Sequence, residues 1–567
     1  MAKVESLITD NLDIWSSTVK AKSAAGRGTS KKIDLYGIEK LRELILELAV
    51  RGLLVPQDPS DEPASELLKK INTARAQALN GAKKKRRETL PLIEVNEKPL
   101  EVPAGWVRCR LGDIIQISSG AGLTAANMAV NGEVPVYGGN GVTGYHDQGN
   151  VFKETLVIGR VGYYCGSIHI TPVSAWVTDN AFITTFFEEG IYLQYLAWLL
   201  KGTDLKENES ATAQPVISGR KVYPIIVGLP PTAEQHRIVA KVDELMALCD
   251  KLEAQQADTI EAHKTLVTTV LDALTKATEK ESFDTAWARI AEHFDMLFTT
   301  EWSVERLKEH ILQLGVTGKL TAPRPSAEEP PELLSRIAKI KEELVKSGQI
   351  SKQKALPAIS KDEIDFELPV AWSVERLGNL TCKLGSGSTP RGGKDAYVDS
   401  GIIFLRSQNI WNGEIRTQDV VYIDSATHKK MSGTRVLPGD VLLNITGASL
   451  GRTAIFPSEL VEANVSQHVT IIRLIEPLMA DFVHILIMSP LIQKFVWGRQ
   501  VGMAIEGLSK KVLENFEFPV PPLEEQERIV KKVKQLLATC EQLKGAIGES
   551  QHTQLLLADA ITEQSVA

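Results

Sequence analysis

GIEKLRELILELAVRGLLVPQDPSDEPASELLKKI, residues Gly37–Ile71, returns as SVERLKEHILQLGVTGKLTAPRPSAEEPPELLSRI, Ser303–Ile337, with 16 identities in 35 ungapped positions. A repeat of this strength decides the architecture before any local pattern does. At the same offset of 266, VPAGWVRCRLGDI (Val102–Ile114) matches LPVAWSVERLGNL (Leu368–Leu380), with Trp106 over Trp372 and Leu111-Gly112 over Leu377-Gly378. A third pair lies at an offset of 291: LPPTAEQHRIVAKVDELMALCDKL (Leu229–Leu252) and VPPLEEQERIVKKVKQLLATCEQL (Val520–Leu543), in which even Cys249 and Cys540 coincide. In order, the chain reads helical segment A, a variable region, helix B, segment A′, a second variable region, helix B′. B runs directly into A′. The equivalent block B′ plus A exists only if the C-terminal helix meets the N-terminal segment in space, which implies a pseudo-two-fold molecule whose termini come together.

Helices B and B′ carry a heptad seam. In B it runs Ile238, Val242, Leu245, Cys249, Leu252, passes the polar Gln256, Thr259 and His263, and resumes at Leu266 and Val270; in B′ it runs Ile529, Val533, Leu536, Cys540, Leu543, Ile547 and reaches Leu557 and Ile561. Apolar residues four and three apart form a narrow stripe that a helix buries against another helix. An antiparallel pairing of B with B′ is expected, the alternative being two helices that pack separately on their own domains. Pro230-Pro231 and Pro521-Pro522 set the helix starts, because proline ends a strand and is tolerated in a first helical turn.

The variable regions are Gly-rich with short β-branched runs such as ETLVIGRVGYYCGSIHI and GDVLLNITGASLGRTAIF, which predict small β-rich mixed domains. The expected fold class is α+β and multidomain: two such domains separated by a long antiparallel helical coiled coil in a pseudo-two-fold repeat. The boundaries are 1–100 (helical), 101–231 (first variable domain), 232–366 (central helical region), 367–522 (second variable domain) and 523–567 (C-terminal helix). The stretches Ala82–Glu101 and Lys346–Asp365 read as linkers, and the basic run Lys83–Arg87 as a solvated linker face rather than a phosphate contact.

At 567 residues the chain is too long for one core and predicts three or four structural units. Hydrophobic residues at 43% and charged residues at 24% place it with globular proteins rather than disordered or membrane ones. No apolar run reaches the length of a membrane span, and Met1–Lys20 lacks the basic-then-apolar layout of a signal peptide, so a cytoplasmic location is expected. The five cysteines lie far apart with no C-x-x-C pair, which argues against a zinc site and a disulfide framework.

Catalytic signatures are missing. An S-adenosylmethionine-dependent amino-methyltransferase needs a Gly-rich cofactor turn and an Asn/Asp-Pro-Pro-aromatic tetrapeptide, whereas the double prolines here are Leu-Pro-Pro-Thr, Val-Pro-Pro-Leu and Glu-Pro-Pro-Glu. GSGSTPRGGK, Gly385–Lys394, evokes a phosphate-binding loop, but Ser388 and Asp395 stand where that motif needs Gly and Ser/Thr. The ten histidines show no metal spacing, and no nucleophile motif is present, so a chain with no catalytic residue, metal or cofactor of its own is expected.

Two divergent polar domains on a fixed frame suit the recognition of two separated short DNA sequences. Base edges are read by Arg on guanine, Asn and Gln on adenine, and small hydroxyls. Candidates in the second domain are Ser388, Thr389 and Arg391; Arg406, Gln408 and Asn409; Thr446, Ser449 and Arg452; and Ser466 and Gln467, with His468 read as a hydrogen-bonded core or edge residue. In the first domain they are Tyr137, Asn140, Tyr145, Arg160, Tyr163 and Asn180, with Asp179-Asn180 placed where the second has VSQH. The net charge of −7, and domains carrying 8 basic against 11 acidic residues (101–232) and 15 of each (367–522), exclude a basic clamp, so partners are expected to supply most of the phosphate grip.

These residues resemble the specificity subunits of type I restriction-modification systems. KLRELILELAVRGLLVPQDPSDEPASELL and its copy look like the constant regions of one subgroup, and LPP-x-x-EQ-x-RIV, present twice, is similar to the hallmark that closes each target-recognition domain. LGSGSTP, LLNITGASLGRTAI and NVSQHV also resemble recognition-domain segments of this family. The resemblance implies that each domain reads one half of a bipartite asymmetric site and that the coiled coil sets the spacer. It further implies two modification subunits that methylate adenine and two restriction subunits that translocate and cleave with ATP, so that S-adenosylmethionine, ATP and magnesium belong to the partners. Tyr137-Gly138-Gly139-Asn140 is read as the first domain's replacement for the G-S-G-S-T-P loop. The competing readings are a coiled-coil adaptor that does not read DNA and a stand-alone methyltransferase or endonuclease.

Overall fold

Each double proline follows a short strand, Ile226–Leu229 or Glu517–Val520, and starts a long helix, Thr232–Lys276 or Leu523–Val566. The glutamine of each EQ pair locks this junction: Gln235 Nε2 donates to the Pro230 carbonyl at 3.3 Å and Gln526 Nε2 to the Pro521 carbonyl at 2.9 Å. Both glutamines are buried. The preceding glutamate anchors the domain entrance in the second copy, where Trp372 Nε1 donates to Glu525 Oε2 at 3.1 Å.

The computed structural model describes residues 2–21, 33–80, 90–91, 93–94, 97, 100–129, 131–162, 164–206, 216–322, 324–364, 366–500 and 507–566. The basic run at 83–87 lies outside them. The chain divides into two compact units, Met1–Ile260 with Gln551–Ala567, and Glu261–Ser550. Each holds a copy of segment A, one variable domain, the start of one long helix and the end of the other.

In the first unit, helix Tyr36–Val50 buries Ile38, Leu41, Leu44, Ile45 and Leu48, the i, i+3, i+4 spacing of one helix face. Each such side chain contributes about 1.5–3 kcal/mol on leaving water. Arg42 Nη2 pairs with Asp250 (2.8 Å) and Glu253 (2.6 Å) of the first long helix, and Tyr36 Oη donates to Asp559 Oδ1 (2.7 Å) near the end of the second. The C-terminal helix therefore meets the N-terminal segment, as the permuted repeat requires. In the second unit, helix Glu301–Val316 repeats the arrangement: Lys308 pairs with Glu541 (2.5 Å), Lys544 with Glu305 (2.6 Å), and His310 Nε2 faces Asp272 Oδ1 at 3.4 Å. Asn11–Trp15 and His293–Leu297 each make one helical turn, closed at 3.0 Å, that buries Trp15 and Leu297.

The seam of the long helices differs from the heptad reading. Leu266 is 48% exposed, and the buried stripe resumes one residue later, at Val267, Leu271 and Leu274. In the second helix Leu557 is 45% exposed and Ala558 takes the buried position. A helix with 3.6 residues per turn drifts about 20° per heptad against a strict 3.5 repeat. Across the mainly polar stretch at Gln256–His263 no apolar residue is fully buried, and the stripe re-enters a core on a neighbouring residue.

The two variable domains share one topology. Strands Ile115–Ser119, Ala181–Phe186, Leu156–Gly159 and Ile168–Ile170 form an antiparallel sheet in that spatial order, and so do Thr381–Ser386, Val469–Leu474, Val441–Asn444 and Thr453–Ile455. A second, mixed sheet in each contains one parallel pair: Val134–Gly138 with Trp176–Val177, and Ile402–Leu405 with Ala463–Val465. The fold is α+β, with mixed sheets and long helices.

The supposed linkers are pinned. Arg110 Nε donates to the Pro91 carbonyl (3.0 Å) and Nη2 to Glu97 (2.7 Å); Arg376 does the same to Pro357 (3.2 Å) and Glu363 (2.7 Å). Arg376 adds a buried pair with Glu517 at 2.6 Å. Hydrogen bonds from a backbone amide and a guanidinium hold the Glu363 carboxyl down to about 2, the Ser360 amide being the larger cause and Arg376 the next.

Candidate nucleic-acid interface

Four loops meet at one edge of each variable domain, joined by matching backbone hydrogen bonds. The Gly120 and Ala121 amides donate to the carbonyls of Ala181 (3.2 Å) and Val177 (3.0 Å), and those of Gly387 and Ser388 to Val469 (2.9 Å) and Val465 (3.1 Å). A Cβ on Gly120 would overlap the Val177 carbonyl oxygen, and one on Gly387 that of Val465, so this crossing needs glycine in both domains. Thr178 N donates to Tyr137 O and Ser466 N to Leu405 O, both at 2.9 Å. Arg160 N reaches Asn180 O (2.9 Å) as Ile445 N reaches His468 O (3.0 Å). Turns at Gly159–Ser167 and Asn444–Arg452 close in the same way, with Gly162 and Gly166, like Gly447 and Gly451, at positive φ.

This correspondence places Asp179-Asn180 opposite Gln467-His468, as read from the sequence. It corrects the match made for Tyr137–Asn140. Ser119-Gly120-Ala121 takes the place of the G-S-G-S-T-P loop, and Tyr137–Asn140 stands where the second domain has Leu405–Gln408. The phosphate-loop likeness of Gly385–Lys394 also ends here, since only a four-residue turn, Gly393–Ala396, follows the strand, with no helix.

In the second domain the structure brings all four flagged segments together. Thr389 Oγ1 bonds Gln467 Oε1, Asn444 Nδ2 donates to the Ser407 carbonyl (2.8 Å), and Thr446 Oγ1 lies 2.7 Å from His468 Nδ1. Ser388, Thr389, Arg391, Gln408 and Gln467 are exposed, and Arg406, Thr446, Ser449 and Arg452 are half-buried. Asn409 and Ser466 are not available as readers. Asn409 is 1% exposed, its Oδ1 accepting from Arg406 N (2.9 Å) and its Nδ2 donating to Arg416 O (3.1 Å), while Ser466 is buried beneath the crossing.

In the first domain Asn140, Tyr145 and Asn180 are exposed. Arg160 is half-buried, its Cζ 5.3 Å from the Phe182 ring centroid and its Nη1 3.4 Å from the Asp179 carbonyl. Tyr137 is a correction: it packs in a small core with Val151, Val157 and Val177, and burial pushes its hydroxyl pKa up. Tyr163 lies outside the described residues.

Burial pushes the equivalent Cys249 and Cys540 thiols up to about 11, far from the thiolate form. Among the described residues no group of three His, Cys, Asp or Glu side chains is placed to hold a metal ion, and no single helix is long and apolar enough to cross a membrane.

The model for the type I restriction modification DNA specificity domain matches twice, over residues 103–262 and 369–549. The specificity subunit of the Escherichia coli type I restriction enzyme EcoAI is 36% identical over 593 aligned positions, covering 99% of this chain and 100% of that one. The chain belongs to the type I specificity-subunit family. The E. coli EcoEI specificity subunit is 33% identical with the same coverage. A solved HsdS subunit from Thermoanaerobacter tengcongensis aligns over 83% of this chain and 98% of its own, at 18% identity and a TM-score of 0.39.

Sequence reading passed over Trp411 and Arg416, which the structure of this specificity subunit places beside the candidate Arg452. They sit on a hairpin, Ile410–Trp411 with Glu414–Ile415, that turns at Asn412-Gly413 and leans on the Asn444–Arg452 turn through Gly413 N to Thr453 O (3.0 Å). The Asn-Gly pair between two short strands was the available signal.

Proposed function

We propose that the chain reads a bipartite asymmetric DNA site, one half with each variable domain (101–231 and 367–522), as the recognition component of a type I restriction-modification complex. The observation that carries this reading is the four-loop crossing, matched in backbone bonding in the two domains yet carrying different exposed side chains on its loops: Asn140 and Asn180 in one, Ser388, Thr389, Arg391, Gln408 and Gln467 in the other. One scaffold with two linings gives two specificities. The long helices set the spacer as an antiparallel coiled coil, a reading supported by opposite ends of the two helices sharing a unit. Two modification subunits, using S-adenosylmethionine, methylate adenine in the two halves; two restriction subunits use ATP and magnesium. This chain adds no catalytic group and no cofactor. Its own contribution is hydrogen bonding to base edges, with phosphate neutralisation left largely to partners.

The test is a binding measurement with purified modification subunits on a library of duplexes carrying two randomised blocks and variable spacers. Enrichment of two short blocks at one fixed spacing is the expected result. Binding without sequence preference would leave the adaptor reading in its place.

A further inference from the structure

Trp411 carries two arginines. The Arg452 guanidinium carbon lies 3.8 Å from the indole centroid and that of Arg416 3.9 Å. Trp411 is itself held, its Nε1 donating to the Gln408 carbonyl at 2.9 Å. Cation–π contact over an indole is the strongest of its kind and fixes the guanidinium plane. The two arginines differ in what else they touch. Arg416 is exposed and pairs with Glu414. Arg452 is half-buried in the turn closed by Asn444 and Gly451, next to the loops of Gln408 and Gln467, and among the described residues no carboxylate lies within ion-pairing distance of it. Burial first, and the charge of Arg416 second, hold its pKa below the usual arginine value. A cation held against an indole, partly desolvated and, among the described residues, without a carboxylate is costly in the free protein, and a ligand with matching acceptors relieves that cost. In the first domain Ser167 occupies the place of Arg452 and bonds the Gly139 carbonyl at 3.0 Å.

We propose that Arg452, laid on Trp411, is a specificity-determining residue that reads a guanine in the half-site of the second domain, with Trp411 as its positioning residue and Arg416 as a phosphate contact. Stacking leaves the in-plane N–H fork free, and guanine offers O6 and N7 as a pair of acceptors in the major groove. Phosphate would also accept the fork. The position of Arg452 among the converging loops, rather than out on the hairpin, favours the base. This inference rests on the bipartite reading above.

The experiment uses the specificity subunit assembled with its modification subunits and measures binding across the duplex library at two salt concentrations. Arg452→Gln is expected to erase a G·C preference at one position of one half-site, by roughly 5- to 100-fold, and to leave the other half-site unchanged. Arg452→Lys, which keeps the charge but not the fork, is expected to lose the same preference. Trp411→Leu weakens that position in the same direction, and Trp411→Phe restores part of it. Arg416→Gln lowers affinity for all sequences alike and reduces the salt slope by about one phosphate contact. Uniform weakening by Arg452→Gln with rescue by Arg452→Lys would make Arg452 a phosphate contact and overturn the proposal, as would unchanged preference in both variants. If the unsubstituted complex showed no preference at either half-site, the bipartite reading itself would fail. Preference in the wild type that survives Arg452→Gln defeats only this inference.

Discussion

Single side chains do two kinds of work in this specificity subunit, and stability separates them. Arg110 and Arg376 stand at equivalent positions, but only Arg376 faces a buried carboxylate, Glu517. Arg376→Ala leaves the buried Glu517 with Arg499 (2.7 Å) but without its second guanidinium, and is expected to cost about 3 kcal/mol, the lower end for breaking a buried pair. Arg110→Ala, which breaks bonds to Pro91, Pro224 and the partly exposed Glu97, costs about 1–3 kcal/mol. Chemical denaturation of the two variants gives the comparison, and equal losses would contradict it. Glycines divide in the same way. Gly387→Ala drives a methyl group into the Val465 carbonyl and should abolish reading by the second domain, whereas Gly433→Ala meets open space and stays within about 0.5 kcal/mol of wild type. Of the recognition candidates, exposed Gln467 and Asn180 were legible because a polar run interrupts two β-branched ones. Tyr137 and Asn409 were not, since a Gly-rich neighbourhood looks exposed in sequence and burial there is decided by strands far away in the chain.

At the scale of elements, helices were more legible than strands because helical side chains repeat and the strand contacts are made by backbone. Segment A and helix B announced themselves by shared apolar spacing. The turns at Gly159–Ser167 and Asn444–Arg452 are bonded alike yet share only Gly162 with Gly447 and Gly166 with Gly451, too little to align by residues alone. The long-helix seam shows the limit of heptad counting. Val267, fully buried, should lose about 1–3 kcal/mol on truncation to Ala, and exposed Leu266 close to nothing, the reverse of the strict heptad order. Thermal unfolding of the two variants decides between the seams.

Over the whole molecule, the permuted repeat explains why a chain with related halves still needs its last helix beside its first segment, through Tyr36 and Asp559. If the long helices act as the ruler, inserting one heptad near both Gln256 and Ile547 adds about 10 Å while keeping the stripe in phase. At about 3.4 Å per base pair the preferred spacer should then lengthen by roughly three base pairs. One insertion alone should mainly destabilise the protein. An unchanged spacer in a folded double insertion would mean that something other than these helices sets the distance. The central claim, that two copies of one scaffold each read their own half of the site, is tested most directly by exchange. Single-molecule methylome sequencing is carried out on cells expressing the complete complex, once with this chain and once with residues 367–522 replaced by the equivalent domain of a relative. The expected result is a bipartite methylated motif in which one half and its orientation persist while the other half changes to the donor's sequence. A chimera that methylates normally but alters both halves, or neither, would contradict it.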